Sequence, residues 1–291
     1  MTKFASIWLS AGILCSGAAL WPGYAADRAA GSGGAIPNFA TTDKTSWVLD
    51  RTVDDLLPLP SGPGPIANDP RYPYVDNGAA RRGGIQPTYR VADLTNPILQ
   101  PWARDQMRKT NDDVVAGKVP FRARERCWPI GVPGFVIYSL VEPFYFYQTS
   151  TEITIVNQGG PEVRRIFLNV PHSKNPKPSW YGESVGHYEN GDTLVIDTIG
   201  ITDKTFVDNY RTPHTEKLHV VERLQLVEGG NAVEVSMTVE DPGAFTTVWS
   251  ARQHWRRVEQ APMAEIVCNE NNANYLQQYR FPMPEAGKAD F

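Results

Sequence analysis

Lys217-Leu218-His219-Val220-Val221-Glu222-Arg223-Leu224-Gln225-Leu226-Val227, the turn residues Glu228-Gly229-Gly230-Asn231, and Ala232-Val233-Glu234-Val235-Ser236-Met237-Thr238-Val239-Glu240 decide the fold. In the last run Val233, Val235, Met237 and Val239 alternate with Glu234, Ser236, Thr238 and Glu240, the period-two signature of a half-buried antiparallel strand. The first run alternates as well. Leu218, Val220, Glu222, Leu224 and Leu226 share one face, while Lys217, His219, Val221, Arg223 and Gln225 share the other. Gly-Gly-Asn between them predicts a hairpin, because these residues tolerate positive φ. Glu222 points where only Leu and Val belong. An unpaired carboxylate buried there is costly or shifts its pKa upward, so Glu222 needs a partner or a purpose.

The same signals recur outward from this hairpin. Gly159-Gly160-Pro161 separates Thr151 to Asn157 from Glu162 to Val170, and Glu189-Asn190-Gly191-Asp192 separates Ser184 to Glu189 from Thr193 to Thr198. Thr246 to Val258 adds another run, with Ala264 to Cys268 returning beside it. About eight meandering strands suit a closed antiparallel up-and-down barrel, which leaves no exposed edge and can enclose a small ligand. A β-sandwich is compatible with the same strand count. The expected class is therefore mainly β, a lipocalin-like barrel over 127–280, with an extended N-terminal segment and one or two short helices. Residues 26–95, rich in Gly and Pro, read as extended or wrapping chain. Asn96-Pro97 reads as a cap and first turn, giving a helix within 96–118 that ends near Gly117.

Residues 1–25 read as an export signal: Lys3, then an apolar or small run from Phe4 to Leu20, then Gly23-Tyr24-Ala25 at the cleavage positions. The expected location is periplasmic or secreted, without stable membrane insertion, and Leu14 before Cys15 does not fit a lipoprotein signal. Cleavage would leave 27 basic against 32 acidic residues. That acidic balance disfavours nonspecific nucleic-acid binding, which depends on Lys and Arg neutralising phosphates. Cys127 and Cys268 then remain, and an even pair in an exported chain most simply forms one disulfide.

Trp180-Tyr181-Gly182-Glu183-Ser184-Val185-Gly186-His187-Tyr188-Glu189-Asn190-Gly191-Asp192-Thr193-Leu194-Val195-Ile196-Asp197-Thr198 and Pro213-His214-Thr215-Glu216-Lys217-Leu218-His219-Val220-Val221-Glu222-Arg223 resemble two signatures of a widespread group of exported bacterial proteins. Arg126-Cys127-Trp128-Pro129-Ile130-Gly131-Val132-Pro133 and Val267-Cys268-Asn269-Glu270-Asn271 fit the same group, so the likeness covers roughly residues 90 to 275. It implies a lipocalin-like β-barrel and brings no reaction with it, since fold does not imply function. Asn190 before the Gly-Asp turn and Tyr188 in place of Trp depart from the group's pattern.

Two chemistries are open to these residues. In the first, Glu222 or Asp197 acts as general acid or base with His219, His187 or His214 in a cavity, performing hydrolysis, elimination or isomerisation; imidazole transfers protons near neutral pH and a carboxylate orients it. In the other, Glu222 pairs with Arg164 or Arg165 and is architecture. Gly182-Glu183-Ser184-Val185-Gly186 spells a nucleophile-elbow pattern, but a hairpin follows where a helix is required. His172, His187, His214 and His219 with Asp197 could in principle assemble a metal site, but no HxH, HExxH or Cys-rich spacing supports one, so neither a metal nor a cofactor is expected. For ligand binding the candidates are Trp180, Tyr181, Arg165, Arg223, Trp249 and Trp255, which suit a small amphipathic or aromatic molecule if they do not pack the core. An envelope protein-interaction module, contacting its partner through the Pro/Gly-rich segment, is the third reading. Oligomeric state is not legible.

Overall fold

A computed structural model describes residues 36–264 apart from 43, 51–54, 124–126, 138–142, 160–161 and 260–262. The expected export signal, Cys268 and the end of the 127–280 region lie outside the described residues. Along the chain come β1 (Thr45–Leu49), β2 (Leu57–Pro58), α1 (Asn77–Gly83), α2 (Pro101–Val115), β3 (Phe144–Gln148), β4 (Glu152–Asn157), β5 (Glu162–Leu168), β6 (Glu183–Glu189), β7 (Thr193–Ile199), β8 (His219–Val227), β9 (Ala232–Glu240) and β10 (Trp249–Glu259). Strands β3 to β10 pair in sequence order, and β1 closes the ring between β10 and β3, making a nine-stranded barrel with β2 as an extra strand on β10.

The hairpin residues act as their chemistry requires. Asn190 and Gly191 take φ of 52° and 76° between β6 and β7, and Gly229 and Gly230 take 66° and 89° between β8 and β9. One pair departs from the antiparallel meander: β5 and β6 run parallel, with Ile166 opposite Ser184 and Leu168 opposite Gly186. A parallel pair needs a crossover, and residues 169–182 supply it without a helix.

Three strands had no clear sequence signal, among them the two-residue β2. β1 lies inside the segment read as extended chain, yet its five residues pair with β10 from Thr45–Glu259 to Leu49–Trp255. β3 lies in the aromatic run Phe144-Tyr145-Phe146-Tyr147, where apolar residues on both faces hide the alternation; Phe144, Tyr145 and Phe146 are all buried. The helix begins later than expected. Gln100 is the N-cap and Pro101 the first helical residue, while Asn96 instead accepts a hydrogen bond from the Ile98 amide at 3.1 Å.

Large side chains fill the barrel interior. Trp47, Trp249, Trp255, Phe144 and Phe146 are fully buried, and Trp255 stacks on Phe144 with centroids 4.9 Å apart while its indole donates to the Val136 carbonyl at 3.0 Å. Trp249 meets Phe245 edge-on at 5.5 Å. Helix α2 packs Ala103 and Met107 against the same core. Among the described residues no helix is long and apolar enough to cross a membrane.

Candidate functional site

Consecutive residues of a strand face opposite ways, so the inward and outward sides of β5 to β8 carry separate polar clusters. The inward one contains Glu222. Arg164 of β5 donates from Nη1 to Glu222 Oε1 at 3.0 Å and from Nη2 to Oε2, and its Nη2 also reaches Thr198 Oγ1 at 2.9 Å. Its Nε donates to Ser184 Oγ at 3.3 Å, and the Ser184 and Thr198 hydroxyls are 2.9 Å apart. Four neighbouring strands thus contribute one side chain each to a closed polar rung, with Arg164 and Glu222 both at 1% exposure. Glu222 has its partner and serves the fold; the candidate acid of the sequence reading is shut away from any substrate. Ser184, the serine of the elbow-like pattern, is bonded into the same rung.

His214 is also internal. Its Nδ1 donates to the Thr215 carbonyl at 3.0 Å, so Nε2 accepts from the Thr205 hydroxyl at 2.8 Å. Burial holds its pKa below the ordinary value, against the Thr215 carbonyl and the nearby Asp241 and Asp203, so it is a neutral structural residue in a packed loop.

On the outward side Asp197 of β7 lies between two imidazoles. Its Oδ1 is 2.9 Å from His219 Nε2 and 3.0 Å from His172 Nε2. His172 continues the chain, with Nδ1 3.0 Å from Glu183 Oε1. Glu183 accepts from the Ser173 amide at 2.7 Å and from the Ser173 hydroxyl. Burial raises the Glu183 pKa, but the Ser173 and His172 contacts outweigh it and hold the carboxyl below its usual range. At the far end His219 Nδ1 stands 3.9 Å from Glu240 Oε2, too far for a hydrogen bond and open to solvent. Carboxylates and imidazoles therefore alternate along the surface from Glu183 to Glu240.

Glu183 also lines a surface hollow of about 470 Å³ between the outer face of β5 and the 169–182 crossover. Val163 and Phe167 form its floor, both exposed for their size, and Trp180 and Tyr181 form a wall. Trp180 is braced edge-on by Trp128 at 5.4 Å, which in turn meets Phe121 at 5.4 Å. Tyr181 turns its ring onto Phe135 of the core at 5.8 Å; burial, with Glu162 beside it, drives its hydroxyl pKa upward, so it remains a neutral phenol. Arg165 crosses the floor with its guanidinium over the Phe167 ring at 4.8 Å. The wall is fixed by backbone: the Ser179 amide donates to Gly200 O at 3.0 Å and Thr202 N to Ser179 O at 2.9 Å. Gly182 at φ 65° lets the chain turn there, where a Cβ would sit 2.4 Å from the Ile199 carbonyl.

Several expected site residues are thereby placed. Asp197 and His219 come together; Trp180, Tyr181 and Arg165 come together in the hollow. His187 stays apart on the outer face at 3.1 Å from Glu189, which also accepts from Arg223. Trp249 and Trp255 pack the core in place of lining a cavity. Cys268 lies outside the described residues, so the bridge to Cys127 stays an expectation. Lys177 and Phe167 were missed as site residues, and His172 was weighed only as a metal ligand. His172 and Lys177 sit in an irregular crossover whose path no period reveals, and Phe167 reads as an ordinary strand residue.

Among the described residues no group of three or more His, Cys, Asp or Glu is placed to hold a metal ion. No family model and no curated protein matches the chain.

Proposed function

We propose that this barrel binds a small amphipathic or aromatic molecule in the hollow over β5, on its outer surface. The observation that carries this is the convergence of Phe167, Val163 and Trp180 with Arg165 and Lys177 around one concavity of about 470 Å³. That volume lies within the range of about 300–1,000 Å³ usual for small-molecule sites, and apolar walls with few charged groups are their usual chemistry. With the export signal read in residues 1–25, the binding would take place in the periplasm or outside the cell. The test is mass spectrometry of the natively purified protein alongside an amide-shift NMR screen of aromatic fragments. Binders should shift the Trp180 indole resonance and lose affinity in a folded Trp180→Ala protein; binding that survives that substitution places the site elsewhere.

The chain from Glu183 through His172 and Asp197 to His219 favours a second reading, acid/base chemistry at His219 on the outer face of the barrel. Asp197 orients the His219 ring through Nε2 and leaves Nδ1 facing solvent, the arrangement a general base needs. A panel of ester, lactone and enolisable substrates tests it. Turnover that falls at least 100-fold in both Asp197→Asn and His219→Gln supports it, and turnover indifferent to both rejects it.

A further inference from the structure

Charge balance in the hollow indicates what class of molecule it takes, an inference that rests on reading the hollow as a binding site. Three charged side chains line it. Arg165 is already engaged, donating from Nε and Nη2 to the two Glu152 oxygens at 2.7 and 2.8 Å. Glu183 is engaged too, by Ser173 twice and by His172, which leaves it little capacity to receive a ligand cation. Lys177 differs. It is exposed on the crossover, and its ammonium has no hydrogen bond or ion pair among the described residues. One uncommitted cation thus stands beside an apolar floor and an indole wall.

We propose that the hollow selects aromatic organic anions, with the ring against Trp180 and Phe167 and the anionic group at Lys177. A neutral molecule of the same shape forgoes the ion pair, and an aromatic cation meets Lys177 and the Arg165 guanidinium as like charges. Because Lys177 is exposed, the preference is modest and falls with salt.

Three probes of matched shape test this by titration calorimetry on the full folded chain: 2-naphthoate, 2-naphthamide and 2-naphthylmethylammonium. The expected order is naphthoate tightest, by about 3- to 5-fold over the amide at low salt, the size of an exposed ion pair. The ammonium should be weakest. Lys177→Ala should equalise naphthoate and naphthamide, and Lys177→Glu should reverse the order in favour of the ammonium. As an exposed loop position, residue 177 tolerates both changes without loss of fold, which circular dichroism checks. If naphthoate and naphthamide bind equally to the unaltered chain, or if Lys177→Glu leaves the order unchanged while Trp180→Ala still weakens all three, the selection for anions is wrong and the site stands. If no probe binds, or none depends on Trp180, the hollow is not a binding site and both readings fall.

Discussion

Replacing Glu222 by Leu leaves the Arg164 guanidinium at 1% exposure with the Ser184 and Thr198 hydroxyls and the Phe135 ring beside it but without a carboxylate partner. Replacing Arg164 by Met strands the carboxylate in the same way. Breaking one side of such a buried pair costs about 3–5 kcal/mol, because the surviving charge keeps its desolvation penalty and loses its compensation. At about 2–4 °C per kcal/mol for a chain of this size, each single variant should melt about 6–20 °C lower. The double variant leaves no charge in the rung. It should be far closer to the unaltered protein than either single one, since an apolar pair of similar volume is often neutral or stabilising in place of an ion pair. Urea unfolding followed both by far-UV circular dichroism and by tryptophan fluorescence measures all four proteins and checks that one transition is observed. The reasoning is refuted if Glu222→Leu lies within about 1 kcal/mol of the unaltered chain, or if the two single effects add in the double variant, because uncoupled residues cannot be a mutually dependent pair.

Asp208 offers a test by pH: burial, against hydrogen bonds from Thr212 and the Tyr210 amide, raises its pKa from 3.8 to about 6. The folded chain then keeps a proton that the unfolded chain has released, so stability falls as pH rises from about 4 to about 6, by on the order of 3 kcal/mol. Asp208→Asn should remove that slope from urea stabilities measured across the window, and a pH-independent difference between the two proteins would contradict it. Gly182→Ala forces a methyl to within 2.4 Å of a backbone carbonyl at positive φ, so a loss of at least ~2 kcal/mol is expected by thermal melting; a neutral result would mean the crossover adopts another path. Non-reducing peptide mapping should join Cys127 to Cys268, and two alkylatable thiols would exclude the bridge.

Strand alternation made β4 to β10 legible, because each runs between turn residues and most bury a single face. It also held information about the site that composition obscures. Glu222 and His219 are three residues apart, an odd interval, so in one strand they must face opposite ways and cannot share a cavity. Asp197 and His219 both fall on outward positions, as their burial confirms, and that is where they meet. β1 and β3 were hidden for different reasons: β1 is five residues embedded in Pro- and Gly-rich chain, and β3 buries three successive aromatics. The hollow was half visible. Arg165, Trp180 and Tyr181 belong to recognisable segments, whereas the approach of His172 and Lys177 depends on a parallel β5–β6 pairing that neither hydrophobic period nor turn chemistry encodes.

That pairing gives the buried rung a second consequence. Arg164 and Arg165, Glu183 and Ser184, and Asp197 and Thr198 are adjacent pairs, each with one member in the rung and the other in the outer cluster or hollow. A slip of one residue in β5, β6 or β7 would exchange the two, turning Arg165, Glu183 or Asp197 inward. The same slip would turn the buried Ile166, Ile196 and Val220 out to solvent, so apolar burial already opposes it; the Arg164–Glu222 pair with its two hydroxyls adds a directional constraint, because it accepts one arrangement of four strands. The rung is therefore expected to help hold the register that places the outer cluster, a role separate from stability. The apolar double variant distinguishes the two. If register depends on the rung, that variant should melt near the unaltered protein yet show broadened amide resonances at Glu183 and Asp197 and bind aromatic probes several-fold more weakly. A double variant with sharp resonances and full affinity would show that the apolar packing alone sets the register, and that the buried ion pair contributes nothing to the geometry outside it.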